Sequence, residues 1–388
     1  MRNVEMLKIG GYLLLSLWLM NGCSSPKTNP EIERLFPLPT EKNSQMLKTN
    51  AIDIESFQLD SVESSYLGYL EMDRDTIYQI DEKFCWVFRF TKDGQLIDRQ
   101  LGLGQGPKEY ECGGIEGYGL LSDGRWAFFD SGAGCNFFSN NFDKQNRLQI
   151  VIDGSRENKS YENSRMYTED YGYLIIKQLD SCLYYNVVAW QGMADDFLTN
   201  TTNYFRNAHI LMKMNMLTGQ VERLLGGFPS FYERKHAVFQ EVSFDIDPVK
   251  KRFFVSYDAD SLIYCYDKDY KPLYSFGWQG KNMKVDYNSY SWESLLKQRD
   301  KIRSKYSYYH NIKYIKDIDL LFRPYKKTPE SDSDCDGLQI YRGQTLIADV
   351  TVPRNLTVLG YSAPYVYATT GIDGIRERID MFRFKLNL

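Results

Sequence analysis

Apolar and polar side chains alternate along much of this chain at the period of two that marks a strand with one buried face. The clearest instance begins at Trp86, where Trp86, Phe88 and Phe90 alternate with Val87 and Arg89. Lys92-Asp93-Gly94 then supplies an Asp-Gly pair that tolerates positive φ in a tight hairpin, and Leu96, Ile97 and Leu101 lead the chain back. Gly102, Gly104 and Gly106, at alternate positions and closed by Pro107, predict a sharp structural corner after that hairpin.

The same order returns further on. Residues 264–280 repeat the aromatic strand, a Lys268-Asp269 turn and a glycine corner at Gly277 and Gly280. Fainter copies run through 210–227, turning at Thr218-Gly219-Gln220, and through 137–150, with a turn expected at Lys144-Gln145-Asn146. Alternating runs also cover 125–129, 241–257, 338–352 and 365–369. A repeated strand–turn–strand–glycine unit argues for blades set around an axis, because radial repetition hides sheet edges. The turns lie about 50 to 75 residues apart, wider than the ~40–50 of compact propeller repeats, so insertions are expected. The fold predicted is all-β, a propeller of six four-stranded blades; a sandwich would not require the unit to return. Closure should pair the terminal strand around 378–388 with sequence inside 51–80, since a free apolar edge invites pairing with other chains. One stretch departs from the pattern. Around 288–309, Trp292, Leu295, Leu296, Ile302 and Tyr306 recur at helical spacing among charged residues, predicting one inserted helix near 291–306 with Ser291 as its cap.

The N-terminus changes the picture of location. Arg2 and Lys8 precede an apolar run from Tyr12 to Met20 that ends at Asn21-Gly22-Cys23, too short for a comfortable membrane span. It resembles the bacterial lipoprotein signal, and the resemblance implies that 1–22 is removed and that Cys23 carries the lipid. The polar, proline-bearing segment to residue 50 reads mostly as a flexible tether, leaving 51–388 as a single propeller domain. Six further cysteines are widely spaced with no C-x-x-C, and read as small buried hydrophobes with one disulfide open to them.

The lipobox, the F-x-F-x-x-D-G hairpin and the corner from Gly102 to Tyr110 together resemble the six-bladed β-propeller lipoproteins of Bacteroidetes, a group related to NHL- and TolB-like propellers. Residues 309–314 and 321–323 are similar to that group's C-terminal segment. Most members carry no assigned activity, so the resemblance speaks to fold and location rather than chemistry.

Candidate chemistry is sparse. The glycine corner matches neither G-x-G-x-x-G nor a Walker A loop and opens no helix, which argues against phosphate binding. A net charge of −4 argues against a nucleic-acid partner. Asp332, Asp334 and Asp336 before Gly337 match the first half of a calcium loop, but the twelfth position is Gly343 rather than Glu. An acidic solvated loop is the leading reading there, calcium the second; no other cofactor is expected. The three histidines lie outside any H-E-x-x-H spacing, and no G-x-S-x-G occurs. Two functions stay open: an envelope-anchored binding or scaffolding module with a protein or carbohydrate ligand at the propeller face, and a hydrolase or lyase acting on an envelope or extracellular polysaccharide. Inward carboxylates at hydrolase separation would favour the second.

Overall fold

The computed structural model describes residues 35–49, 51–111, 113–151, 164–167, 174–191, 201–234, 239–288, 290, 292–328 and 334–386. Its strands form six small sheets arranged as a six-bladed β-propeller. Blade 1 is Gly68–Asp73, Thr76–Asp81, Trp86–Thr91 and Leu96–Leu101, each antiparallel to the next. Blade 2 uses Gly117–Leu120, Trp126–Phe129, Gly134–Phe138 and Lys144–Gln149. Lys177–Leu179, Cys182–Gln191, His209–Asn215 and Val221–Leu225 make blade 3. Blade 4 runs Val242–Asp247, Arg252–Tyr257, Ile263–Asp267 and Pro272–Phe276. Blade 5 is built on Lys313–Ile315, Leu320–Lys326, Cys335–Arg342 and Thr345–Pro353, and blade 6 on Thr357–Ser362, Tyr365–Asp373 and Arg378–Lys385.

The fourth strand of blade 6 comes from the other end of the chain. Ile54–Gln58 pairs antiparallel with Arg378–Lys385, setting Ile54 opposite Phe384 and Gln58 opposite Asp380. The ring therefore closes as the alternation of the terminal run predicts, with no bare edge left on that strand.

Six of the hydrophobic clusters each join two neighbouring blades. Tyr69, Ile80 and Val87 of blade 1 meet Tyr118, Trp126 and Phe138 of blade 2, and Leu70, Ile77 and Phe88 meet Leu359, Tyr367 and Met381 of blade 6. The abundant aromatics thus fill seams, where their area is removed from water on both faces. The seam between blades 4 and 5 holds a cation as well. Arg323, fully buried, donates to Ser256 Oγ at 2.9 Å and to the carbonyls of Ser261, Asp260, Tyr257 and Leu262, while its guanidinium lies 3.4 Å from the centroid of the Tyr309 ring.

Turns follow a recurring device. Asp247 Oδ1 accepts the amides of Val249 and Lys250, Asp81 Oδ1 those of Lys83 and Phe84, and Asp373 Oδ1 those of Ile375 and Arg376. A strand-end aspartate thereby starts the turn through its own side chain. The hairpin after Trp86–Thr91 turns at Gly94, as predicted, with φ +90°. In blade 2 the expected turn at 144–146 is instead strand. The chain reverses at 139–143, where Ser139 Oγ accepts the amides of Asn141 and Asp143 and Phe142 supplies the positive φ.

Two other expectations meet the structure at the edges of the ring. Residues 35–49, expected within the flexible tether, are docked. Ser44–Thr49 adds a parallel strand to Thr345–Pro353, Asn43 and Gly277 exchange hydrogen bonds, and Phe36 sits 5.0 Å from the Tyr264 ring. Composition misses this because the attachment is made by backbone pairing, which polar residues permit as well as apolar ones. The inserted helix is present as Trp292–Arg303, with a non-helical break at Gln298. Its proposed cap, Ser291, lies outside the described residues.

Candidate functional site: the central channel

The inner strands of all six blades line one cavity of about 350 Å³. Gly68–Asp73 contributes Tyr69, Leu70 and Glu71, Gly117–Leu120 contributes Tyr118, and Thr357–Ser362 contributes Thr357 and Leu359. These strands are short and packed between neighbouring blades, so a charged side chain on one of them is directed to the axis or into a seam, where it needs a partner.

Four such charges meet in pairs. Lys313 Nζ donates to Glu71 Oε1 at 3.0 Å, and Lys177 Nζ lies 3.2 Å from Asp245 Oδ1. Blades 1 and 5 are not neighbours, so the Glu71–Lys313 bond reaches past the inner strand of blade 6 and ties two blades that share no seam. Asp245 Oδ2 also accepts the amide of Tyr314 at 2.8 Å. Burial works against a charged Lys313, but the Glu71 and Asp245 carboxylates outweigh it and raise its pKa, so the ammonium is kept.

A second cluster joins the inserted helix to the channel wall. Arg303, the last residue of that helix, holds Asp258 Oδ2 at 3.1 Å and Glu241 Oε2 at 2.8 Å, and its guanidinium lies 4.0 Å from the centroid of the Tyr308 ring. Tyr232 donates to Asp258 Oδ1 at 3.0 Å. Burial pushes the Asp258 carboxyl up to about 7; Arg303 opposes the shift and Glu241 adds to it. His310 also lines the cavity, and its Nε2 is buried with no hydrogen-bond partner among the described residues. Burial, then the nearby Arg303 and Lys326 charges, hold its pKa down to about 3, so the imidazole is neutral at physiological pH.

The Asp258 shift has a testable sign. A carboxyl whose native pKa lies above its unfolded value near ~3.9 contributes fully below that value and loses the contribution as pH rises through about 7. The stability deficit of Asp258→Asn relative to the parent should therefore be largest near pH ~4 and shrink steadily towards pH ~8, read by thermal denaturation across that range. A deficit that grows with pH would mean that Asp258 is an ordinary ionised partner of Arg303.

The residues singled out by sequence lie elsewhere. Cys23 and Asp332 are outside the described residues. Gly102, Gly104, Gly106 and Pro107 form the link from blade 1 to blade 2: Tyr110 N donates to Gly102 O at 2.7 Å, Lys144 N to Pro107 O at 2.8 Å, and Gly106 N to Glu109 Oε2 at 2.7 Å. None of the four lines the cavity. The requirement for glycine is clearest at Gly104, where a Cβ would stand 2.0 Å from Glu109 Oε2. Asp336 is buried and spends Oδ1 on Lys327 N and Oδ2 on Asn355 N, whereas Asp334 is exposed. Both Asp336 oxygens thus fasten the loop, and no cluster of three or more metal-ligating side chains occurs among the described residues. Glu71, Lys177, Asp245, Lys313, Asp258 and His310 were not found by motif. No local pattern marks them: Glu71 and Asp245 each share a strand with a further aspartate, and Lys177 and Lys313 each open a three-residue strand.

Comparison with known proteins supports the fold. No family model matches the chain, and no curated protein matches it. Among solved structures, a member of the DUF4221 family from Bacteroides vulgatus superposes with TM-score 0.63 at 11% identity, covering 87% of this chain and 99% of that one. A putative exported protein from Bacteroides fragilis gives TM-score 0.50 at 13% identity, covering 88% and 99%. At these identities the likeness is one of architecture. Among the described residues, no helix is long and apolar enough to cross a membrane.

Proposed function

We propose that this chain is a lipid-anchored propeller of the cell envelope that works as a binding module and takes its ligand in the central channel. The observation that carries this reading is the cavity itself, lined by all six blades and walled by carboxylates that are already held in ion pairs. A carboxylate fixed by a cation and further hydrogen bonds is a poor general base, and no nucleophile with an adjacent base faces the cavity among the described residues. Titration with a mixed small-molecule library should raise the melting temperature for at least one member by mass action, with that member recovered unchanged. A library without any such member would remove the binding reading.

The polysaccharide hydrolase or lyase stands as a second reading because of one feature. Asp258, held up to about 7, stands beside Glu241 on the channel wall, and a raised carboxyl paired with a second one is the pattern of acid–base catalysis. Conversion of a bound library member, lost in Asp258→Asn, would move the assignment to that reading.

Anchoring rests on the sequence around Cys23. Wild-type protein is expected to incorporate labelled palmitate and to sediment with membranes, and Cys23→Ala to lose both. Retention of label by the variant would place the anchor elsewhere.

A further inference from the structure

We infer that the channel is a site for a neutral, polyhydroxylated ligand the size of one or two sugar rings, and that its internal ion pairs reject charged analogues. This rests on the channel being the binding site. Every charged side chain that lines the cavity among the described residues already has a partner: Glu71 and Lys313 have each other at 3.0 Å, Lys177 has Asp245 at 3.2 Å, and Glu241 and Asp258 share Arg303 at 2.8 and 3.1 Å. A ligand carrying net charge gains an ionic contact there only by separating one of these pairs, which strands the other member in a poorly solvated place. A neutral ligand pays no such cost.

What the wall offers once the charges are matched is neutral hydrogen bonding. Asn311, Thr357 and Thr370 line the cavity, and their side chains make no hydrogen bond among the described residues. His310, uncharged, adds an imidazole whose Nε2 lacks a hydrogen-bond partner among the described residues. Amide, hydroxyl and neutral imidazole groups both donate and accept, which matches hydroxyl-rich molecules. The hydroxyls of Tyr69 and Tyr118 are spent on the carbonyls of Glu116 and Leu70, at 3.1 and 3.2 Å, and their rings pack in the seam between blades 1 and 2, so these two residues offer the cavity no free polar group. The apolar part of the wall comes from aliphatic side chains. Ile175 and Ile372, both only partly buried, give the C–H faces of a ring an apolar surface. The volume, about 350 Å³, suits one or two sugar rings and is too small for a folded partner.

The test uses the full chain, with calorimetric titration of neutral mono- and disaccharides, each matched with its uronic acid and its amino sugar. At least one neutral sugar should bind, at least about tenfold more tightly than either charged counterpart, with little dependence on salt. Thr370→Trp, which fills the cavity, should abolish that binding with the melting temperature unchanged. Lys313→Met, which leaves Glu71 without its cation, should shift the preference towards the amino sugar. If a charged counterpart binds more tightly and Thr370→Trp abolishes it, the ligand class is wrong while the channel remains the site. If Thr370→Trp leaves a sugar's binding intact, the channel is not the site at all. If no sugar in the panel binds, the inference is overturned, whatever the library titration returns; a variant that fails to fold leaves the charge-matched comparison on the parent to decide.

Discussion

Arg323→Met should lower the stability of this protein by about 3–5 kcal/mol, the range expected when one partner of a buried charged network is removed. The guanidinium bridges blades 4 and 5 and donates to one hydroxyl and four backbone carbonyls, all from residues 256–262. The carbonyls of Asp260, Ser261 and Leu262 belong to the loop between two strands, while Tyr257, which ends the first of them, also accepts Asp260 N. Methionine would fill much of the volume but leave the loop carbonyls buried and unpaired, and each unsatisfied group costs roughly 1–3 kcal/mol. The charge has a distributed counterpart. Asp260 is half-buried, with its pKa raised by desolvation and held back by Leu262 N, Tyr264 OH and the Arg323 charge. Arg323→Lys should recover only part of the loss, because a compact ammonium cannot reach five acceptors from one fork. Urea denaturation of the three proteins decides it. A methionine variant within ~1 kcal/mol of the parent would mean that the loop re-forms its hydrogen bonds without the arginine.

That network shows where sequence reading ran out. The hairpin from Trp86 to Leu101 was legible because alternation and an Asp-Gly turn are local facts, and closure by the terminal strand was legible because an apolar edge needs a partner wherever it lies. The blade 2 turn was misplaced by a few residues because Phe142, not a glycine or asparagine, adopts the positive φ, with φ 62°. The channel was illegible for a different reason. Glu71 and Lys313 are 242 residues apart, and Lys177 and Asp245 belong to different blades. No spacing rule joins them; the ring does, after each inner strand has been placed. The same holds for Arg303 and Asp258, where an inserted helix reaches a carboxylate 45 residues earlier in the chain. A glycine-rich motif was conspicuous in sequence yet serves a corner, since backbone geometry demands unusual residues more visibly than a mixed polar cavity does.

The larger expected effect concerns closure. Two N-terminal truncations separate the docked strap from the closing strand. Removing the chain through residue 49 deletes the parallel strand on blade 5 and the Phe36 contact but keeps Ile54–Gln58, so the ring stays closed and the protein should remain folded and monomeric. Extending the cut through residue 58 strips blade 6 of its outer strand. Arg378–Lys385 then becomes an edge, an alternating strand whose Met381 and Phe384 are fully buried in the intact ring. Cutting instead at the other end, by removing residues 381–388, takes most of that strand away and leaves Ile54–Gln58 with nothing to pair. Either opening should abolish the single cooperative melting transition and send the protein into aggregates, because an unpaired apolar edge templates association between chains. Light scattering and calorimetry on the three truncations distinguish the outcomes. If the cut through 58 melts like the cut through 49, the seam between blades 6 and 1, built on Ile77, Phe88, Leu359 and Tyr367, holds the ring without the strand exchange, and closure is a matter of side-chain packing alone.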